Sequence, residues 1–189
     1  GLSNLRRSSD DQAMVLSSSV RLWLLPNAVL LAVLAIWGAI RYPHLPGRIP
    51  KHIGLDGVDA WADKSVGSAL GLVFVYAGVT LLMVGSAELT LRVTPRDELT
   101  NPDAAPYAVT PAASSSLNRP ASRASARRIA RALLQLNTCI GISFSAGCWM
   151  LWRSTPDADE PTWVFAAMLL PFLVGGAVTL AACIADRRQ

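Results

Sequence analysis

Residues 22–40 read LWLLPNAVLLAVLAIWGAI and residues 66–87 read VGSALGLVFVYAGVTLLMVGSA. Neither stretch carries a charged side chain. At a rise of 1.5 Å per residue, each is long enough to cross a hydrocarbon core of about 30 Å as a helix. Residues 132–152 and 162–185 are two further uncharged runs of the same length class. A transmembrane β-barrel would instead show alternating segments of about 10 residues, which are absent.

Composition agrees with this reading. Only 16% of the residues are charged, against about 25% in an ordinary soluble domain, and 52% are hydrophobic. The mean hydropathy is +0.37. The fold class expected is an all-α membrane protein, a four-transmembrane-helix bundle with a structured extracytoplasmic loop between helices 1 and 2. The organisation that follows is an N-terminal cytoplasmic segment (1–21), a first helix pair (22–88) enclosing the loop 42–65, a cytoplasmic linker (89–128), a second helix pair (129–185) and a cytoplasmic tail (186–189).

Charge sets the expected orientation. With the N-terminus inside, the inner segments hold Arg6, Arg7, Arg21, the seven arginines from Arg92 to Arg131, Arg187 and Arg188. That is twelve of the seventeen Lys and Arg residues. The positive-inside rule then places both termini in the cytoplasm and the 42–65 loop outside, in a bacterial plasma membrane. An Ala- and Arg-rich, Lys-poor composition suits a high-GC bacterium. The rival for the first run, a cleaved signal peptide, has too long an apolar core, and Ala39-Ile-Arg41 is a poor cleavage site. Trp149, Trp152 and Trp163 fall where an interfacial aromatic belt belongs. The net charge of +4 is explained by inner loops facing anionic lipid and calls for no nucleic acid.

The linker 94–119 is rich in Pro, Ala, Ser and Thr and reads as a flexible tether. It leads into Arg119, Arg123, Arg127 and Arg131, whose spacing of four predicts one side of a helix entering the third span. This is a stripe for lipid headgroups or a partner, or simply a cytoplasmic anchor. Within the spans, Gly67 and Gly71 form a small-xxx-small pair suited to close helix approach. Gln135, Asn137, Thr138, Ser143 and Ser145 make the third span the most polar, with Gln135, Thr138 and Ser145 on one side. Pro171 with Gly175 and Gly176 loosens the fourth span. Cys139, Cys148 and Cys183 read as small buried apolar residues, and Cys139 and Cys148 lie too far apart along one helix, about 13 Å, to be bridged. No ionisable residue lies mid-span, which argues against a transport path.

The 42–65 loop concentrates the polar chemistry. It holds both histidines, His44 and His52, and the carboxylates Asp56, Asp59 and Asp63. A divalent metal would find its ligands among His44, His52 and Asp59. The alternative is a turn at Asp56-Gly57, with Asp59 or Asp63 capping the next helix and Lys64 pairing locally. We expect no metal and no cofactor. No nucleophile or oxyanion turn accompanies the His/Asp set, so an enzyme is not expected.

Leu45-Pro-x-x-Ile49-Pro50-x-His52, followed by Gly57, Asp59, Trp61 and Lys64, resembles the domain of unknown function 1648 (DUF1648), over about residues 25–85. The resemblance implies a loop module between the first two membrane helices, with Pro46, Ile49, Pro50 and Gly57 shaping it and His52, Asp56, Asp59, Trp61 and Lys64 available for binding. It also implies kinship with the immunity and signalling proteins of the sporulation-delaying killing factor, which protect against an exported toxin. The Gly57–Asp59 spacing is one residue shorter than that family's, and the immunity proteins carry further helices. The expected function is therefore a membrane sensor or immunity-type protein that recognises an extracytoplasmic peptide or protein through the loop. The alternatives are an accessory subunit of a larger membrane complex, or a small membrane transporter or enzyme. Expected partners are membrane lipids and another membrane protein or an extracytoplasmic peptide or protein.

Overall fold

A computed structural model describes residues 18–54, 57–99, 119–153 and 162–189, the side chains at 18–19, 52–54, 57–59 and 162 excepted. The described elements run α1 (Ser18–Arg21), α2 (Leu24–Arg41), a 3-10 turn (Tyr42–His44), β1 (Arg48–Gly54), β2 (Gly57–Asp63), α3 (Val66–Arg92), a second 3-10 turn (Arg96–Glu98), α4 (Arg123–Leu151) and α5 (Thr162–Arg187). The two strands correct the all-α expectation: the loop folds into an antiparallel hairpin, in a protein otherwise built of helices.

Each long helix starts where its sequence supplies a start. Pro26 occupies the first turn of α2, where an intrahelical N–H is not needed. Ser65 caps α3 in a reciprocal capping box with Ser68. Asp63, the expected cap, instead lends its backbone carbonyl to the Ser68 hydroxyl at 2.7 Å. Ser122 caps α4 by accepting from the Ser125 amide. Pro171 is accommodated inside α5, which runs unbroken.

Three helices, α2, α3 and α5, are long and apolar enough to cross a membrane. They also expose their apolar side chains: Ile36 is 61% accessible, Leu81 76%, and Leu169 59%. So much exposed leucine and isoleucine needs a non-aqueous surround. The fourth long helix, α4, is different. It packs along α3 and α5 and also meets α2, so it occupies the middle of the bundle. Its arginine-rich start and polar interior residues set it apart from the other three in hydropathy. A central helix faces protein on most sides, and there polar side chains find partners instead of hydrocarbon.

Those partners form one buried network. Asn27 on α2 accepts from the Tyr76 hydroxyl on α3 at 2.9 Å and from Asn137 Nδ2 on α4 at 2.8 Å. Asn137 also donates to Thr80 Oγ1 at 2.9 Å. Asn27 Nδ2 in turn donates to the carbonyls of Trp23 and Leu134. Asn137 Oδ1 has no donor among the described residues. Thr138 and Ser145 close back onto the Leu134 and Gly141 carbonyls of their own helix.

Close helix approach falls on glycines other than the expected pair. Beside Gly67 and Gly71 no neighbouring helix comes close: a Cβ at Gly71 would meet nothing within 4 Å. At Gly141 an added Cβ would lie 2.5 Å from the Tyr76 ring end, and at Gly38 it would lie 2.6 Å from Leu70 and 2.9 Å from Trp152. Gly175 admits Leu136 and Cys139 of α4 against α5 in the same way. Of the cysteines, all free, Cys148 is buried, Cys139 half-buried and Cys183 exposed, so only the first fits the buried role fully.

The arginine end of the bundle is fastened by polar contacts. The Asp186 carboxylate on α5 accepts from the Ala121 amide at 2.7 Å and from the Ser125 hydroxyl, and its backbone carbonyl accepts from Arg96. Arg123 forms a two-point contact with Glu98, 2.9 Å at each oxygen, and this hydrogen bonding holds the Glu98 carboxyl, beyond the end of α3, below the usual carboxylate range. Arg119 lies ahead of Pro120 and the α4 cap and donates to the Thr94 carbonyl. The expected four-arginine stripe is therefore interrupted. Arg119 is not on the helix, Arg123 is engaged, and Arg127 and Arg131 stand exposed.

Two expectations test this packing. Gly141→Ala should destabilise the protein by about 1–3 kcal/mol, because Tyr76 cannot retreat without losing Asn27, whereas Gly78→Ala should be near neutral. Asn27→Ala should cost about 1–2 kcal/mol, in the range of interhelical hydrogen bonds in bilayers. Unfolding of the detergent-solubilised protein reads both.

Candidate functional site

The hairpin is built from extended-chain formers. Pro46 and Pro50 disfavour helix, Ile49, Ile53, Val58 and Trp61 suit a pleated surface, and Gly54 and Gly57 flank the tip. Arg48, Ile49 and Pro50 pair with Asp63, Ala62 and Trp61. The register then shifts by one residue before His52 pairs with Ala60, and shifts back before Ile53 pairs with Val58. Lys51 on one strand and Asp59 on the other are the extra residues, and the two irregularities cancel. Proline donates nothing to a ladder, so a break directly after Pro50 has a local cause.

This hairpin is part of the core. Leu45 and Ile49, 6% and 1% accessible, join Leu34, Ala69, Val73, Tyr76 and Trp152 in one buried cluster. Its base is closed by the Lys64 amide donating to Gly47 O at 2.8 Å. The Lys64 ammonium donates to Leu45 O at 3.2 Å and sits 4.9 Å from the centre of the Tyr42 ring, which fixes the strap 42–47 to the start of α3. Arg41, at the end of α2, donates twice to the Trp152 carbonyl, at 2.6 and 3.1 Å. Trp152 donates its indole N–H to Ala69 O at 2.7 Å and packs edge-on to Trp37. It is 2% accessible. Trp152 is thus a core residue, not a member of the aromatic belt expected from sequence. Trp149 and Trp163 pair with one another nearer the surface, and Arg153 lies over the Trp149 ring.

Beneath the hairpin lies a cavity of about 430 Å³, within the size of ligand sites. Pro50, Lys51 and Ala62 of the hairpin roof it. Gly67, Ser68, Gly71 and Leu72 of α3 form one wall, and Phe165 and Met168 of α5 the other. Gly147 and Met150 of α4 form the floor. The space exists because α3 and α5 each pack chiefly on α4 and leave a gap between them. Gly67 and Gly71 therefore open a groove within the chain where sequence had suggested a helix contact. The lining suits an apolar group, with the Lys51 ammonium available to an acidic end.

The predicted binding residues separate as follows. Lys64 is a fastener of the loop. Trp61 is half-buried opposite Pro50. His52 and Asp59 are neighbours across the hairpin by backbone register, their side chains lying outside the described residues, as does Asp56 altogether. His44 is exposed in the 3-10 turn. No three His, Cys, Asp or Glu side chains converge among the described residues. Lys51, Ala62, Gly147 and Met168 were not singled out by sequence reasoning. Only the exposed cation within a strand offered a signal, since the other walls come from helices a hundred residues away.

Docking of the hairpin makes a direct expectation. Ile49→Ala should lose about 2–4 kcal/mol of packing and open residues 45–63 to limited proteolysis, with Trp61→Ala doing less.

Residues 29–76 match the family described as a domain of unknown function, DUF1648. The matched segment begins inside α2, contains the whole hairpin and ends at Tyr76, the α3 member of the buried network. No curated protein and no solved structure matches the chain. The chain thus carries a DUF1648 domain, and that domain coincides with the hairpin and the two helix segments that hold it.

Proposed function

We propose that this is an integral membrane sensor or immunity-type protein that recognises an extracytoplasmic peptide or protein through the hairpin and the cavity beneath it. The observation that carries the reading is the roofed groove itself: a fastened hairpin whose Pro50, Lys51 and Ala62 close over an apolar space between α3 and α5. A loop serving only as a connection needs neither the core residues Leu45 and Ile49 nor the fastening by Lys64. A partner would insert an apolar side chain into the groove and set an acidic group against Lys51.

The reading includes a topology with four crossings. We infer that α4 crosses with the others, because its 29 residues run between three helices and make about 43 Å of helix. The arginine bias then puts both termini and the α3–α4 connection in the cytoplasm of a bacterial cell, with the hairpin outside. In intact cells, a membrane-impermeant maleimide should label Lys51→Cys, and should label Arg127→Cys only after permeabilisation. The reverse pattern would invert the topology.

For recognition, a photo-crosslinking residue at position 51 in native membranes should capture one exported peptide or protein. The same residue at Leu81, on the exposed face of α3, should not. Gly71→Leu fills the groove without meeting a neighbour, so it should abolish capture while the protein stays folded. Capture that survives Gly71→Leu would refute the groove as the recognition site.

A second reading, an accessory subunit of a membrane complex, is favoured by one observation. Gly78 and Gly85 of α3 lie seven apart and face open space, a surface that would admit a partner helix. Gly78→Leu would sever such an assembly and leave capture at position 51 intact.

A further inference from the structure

At the opposite end of the bundle from the hairpin, a second cavity of about 620 Å³ opens between the first turns of α4 and the last turns of α5. One wall carries Arg128, Arg131 and Gln135, at spacings of three and four on α4, with Ala132 between them. The facing wall is Val178, Ala181, Ala182 and Ala185 of α5, small and apolar, and Trp23 closes the third side. None of Arg128, Arg131 and Gln135 makes a hydrogen bond or ion pair among the described residues. The neighbouring arginines at 92, 96, 119 and 123 are all engaged by carboxylates or carbonyls. Arg128 and Gln135 are half-buried, and Arg131 is exposed.

We propose that this cavity binds the headgroup of an anionic phospholipid. Two guanidiniums and a carboxamide without partners among the described residues supply the donors that a phosphate needs. The occupant is a lipid rather than a soluble phosphate because the facing wall is apolar and runs on to Leu180 and Ile184, both exposed on α5. A free anion would leave that wall uncovered, whereas an acyl chain continues along it. The indole of Trp23 belongs at the headgroup level on the same grounds. The site is independent of the hairpin and of the recognition proposed there.

Native mass spectrometry of the full chain, released from nanodiscs of phosphatidylcholine with a minor fraction of phosphatidylglycerol, tests this. Wild type should retain phosphatidylglycerol preferentially. Arg128→Gln with Arg131→Gln should weaken that retention about thirtyfold, roughly fivefold per arginine near a membrane surface. Arg127→Gln with Arg187→Gln removes the same charge elsewhere and should leave it intact. Ala181→Leu, which narrows the apolar wall without altering charge, should also weaken retention. Equal loss in both arginine pairs, equal retention of phosphatidylcholine, or full displacement by millimolar inorganic phosphate would each overturn the proposal. Should the Arg128/Arg131 pair fail to fold, the Ala181→Leu variant decides it: undiminished retention there refutes a lipid seated on that wall.

Discussion

The Asn27 carboxamide oxygen takes two hydrogen bonds from two different helices, one from Tyr76 and one from Asn137, and the arrangement of α2, α3 and α4 depends on that point. In hydrocarbon an unmet polar group costs several kcal/mol, so these side chains must meet one another. Tyr76 reaches Asn27 only by passing over Gly141, where no side chain stands in its way. The network therefore fixes register along the helices as well as their neighbourhood. It also accounts for the position of α4: the helix with the polar interior sits in the middle, and the three strongly apolar helices surround it.

The hairpin end inherits this register. Trp152, at the end of α4, is bonded to α3 through its indole, held by Arg41 of α2 through its carbonyl, and packed in the same cluster as Ile49 and Leu45. Hairpin and helices share one core, so the roof of the groove is set by the packing of the chain itself. The DUF1648 match stops at Tyr76, so the domain includes a residue that joins the hairpin pair to α4.

Much of the architecture was legible in the sequence because the governing signals are local. Four uncharged runs gave the long helices, and the proline and glycine content of residues 42–65 gave a built loop. What escaped was non-local. Gly67 and Gly71 signalled closeness, but spacing does not say whether a neighbour or a cavity lies beside them. Trp152 sits at a span end, as a belt residue would, and only the convergence of Arg41, Trp37 and Ala69 draws it inward. Asn27 is one polar residue in an apolar run, and its partners lie 49 and 110 positions away. Arg119 kept the period of four, but Pro120 ends the pattern before the helix begins. Beyond the exposed Lys51 the groove could not be read, since its lining comes from five elements, β1, β2, α3, α4 and α5.

The central claim is that the hairpin is folded into the bundle core instead of being a loop above it. Backbone amide hydrogen exchange of residues 45–64 in lipid nanodiscs tests this most directly, read for the hydrogen-bonded amides of the ladder and the Lys64 amide that closes its base. The account predicts slow exchange, protected alongside the first turns of α3 and lost together with them on destabilisation. Exchange at the rate of an unstructured chain, while α3 remains protected, would contradict it.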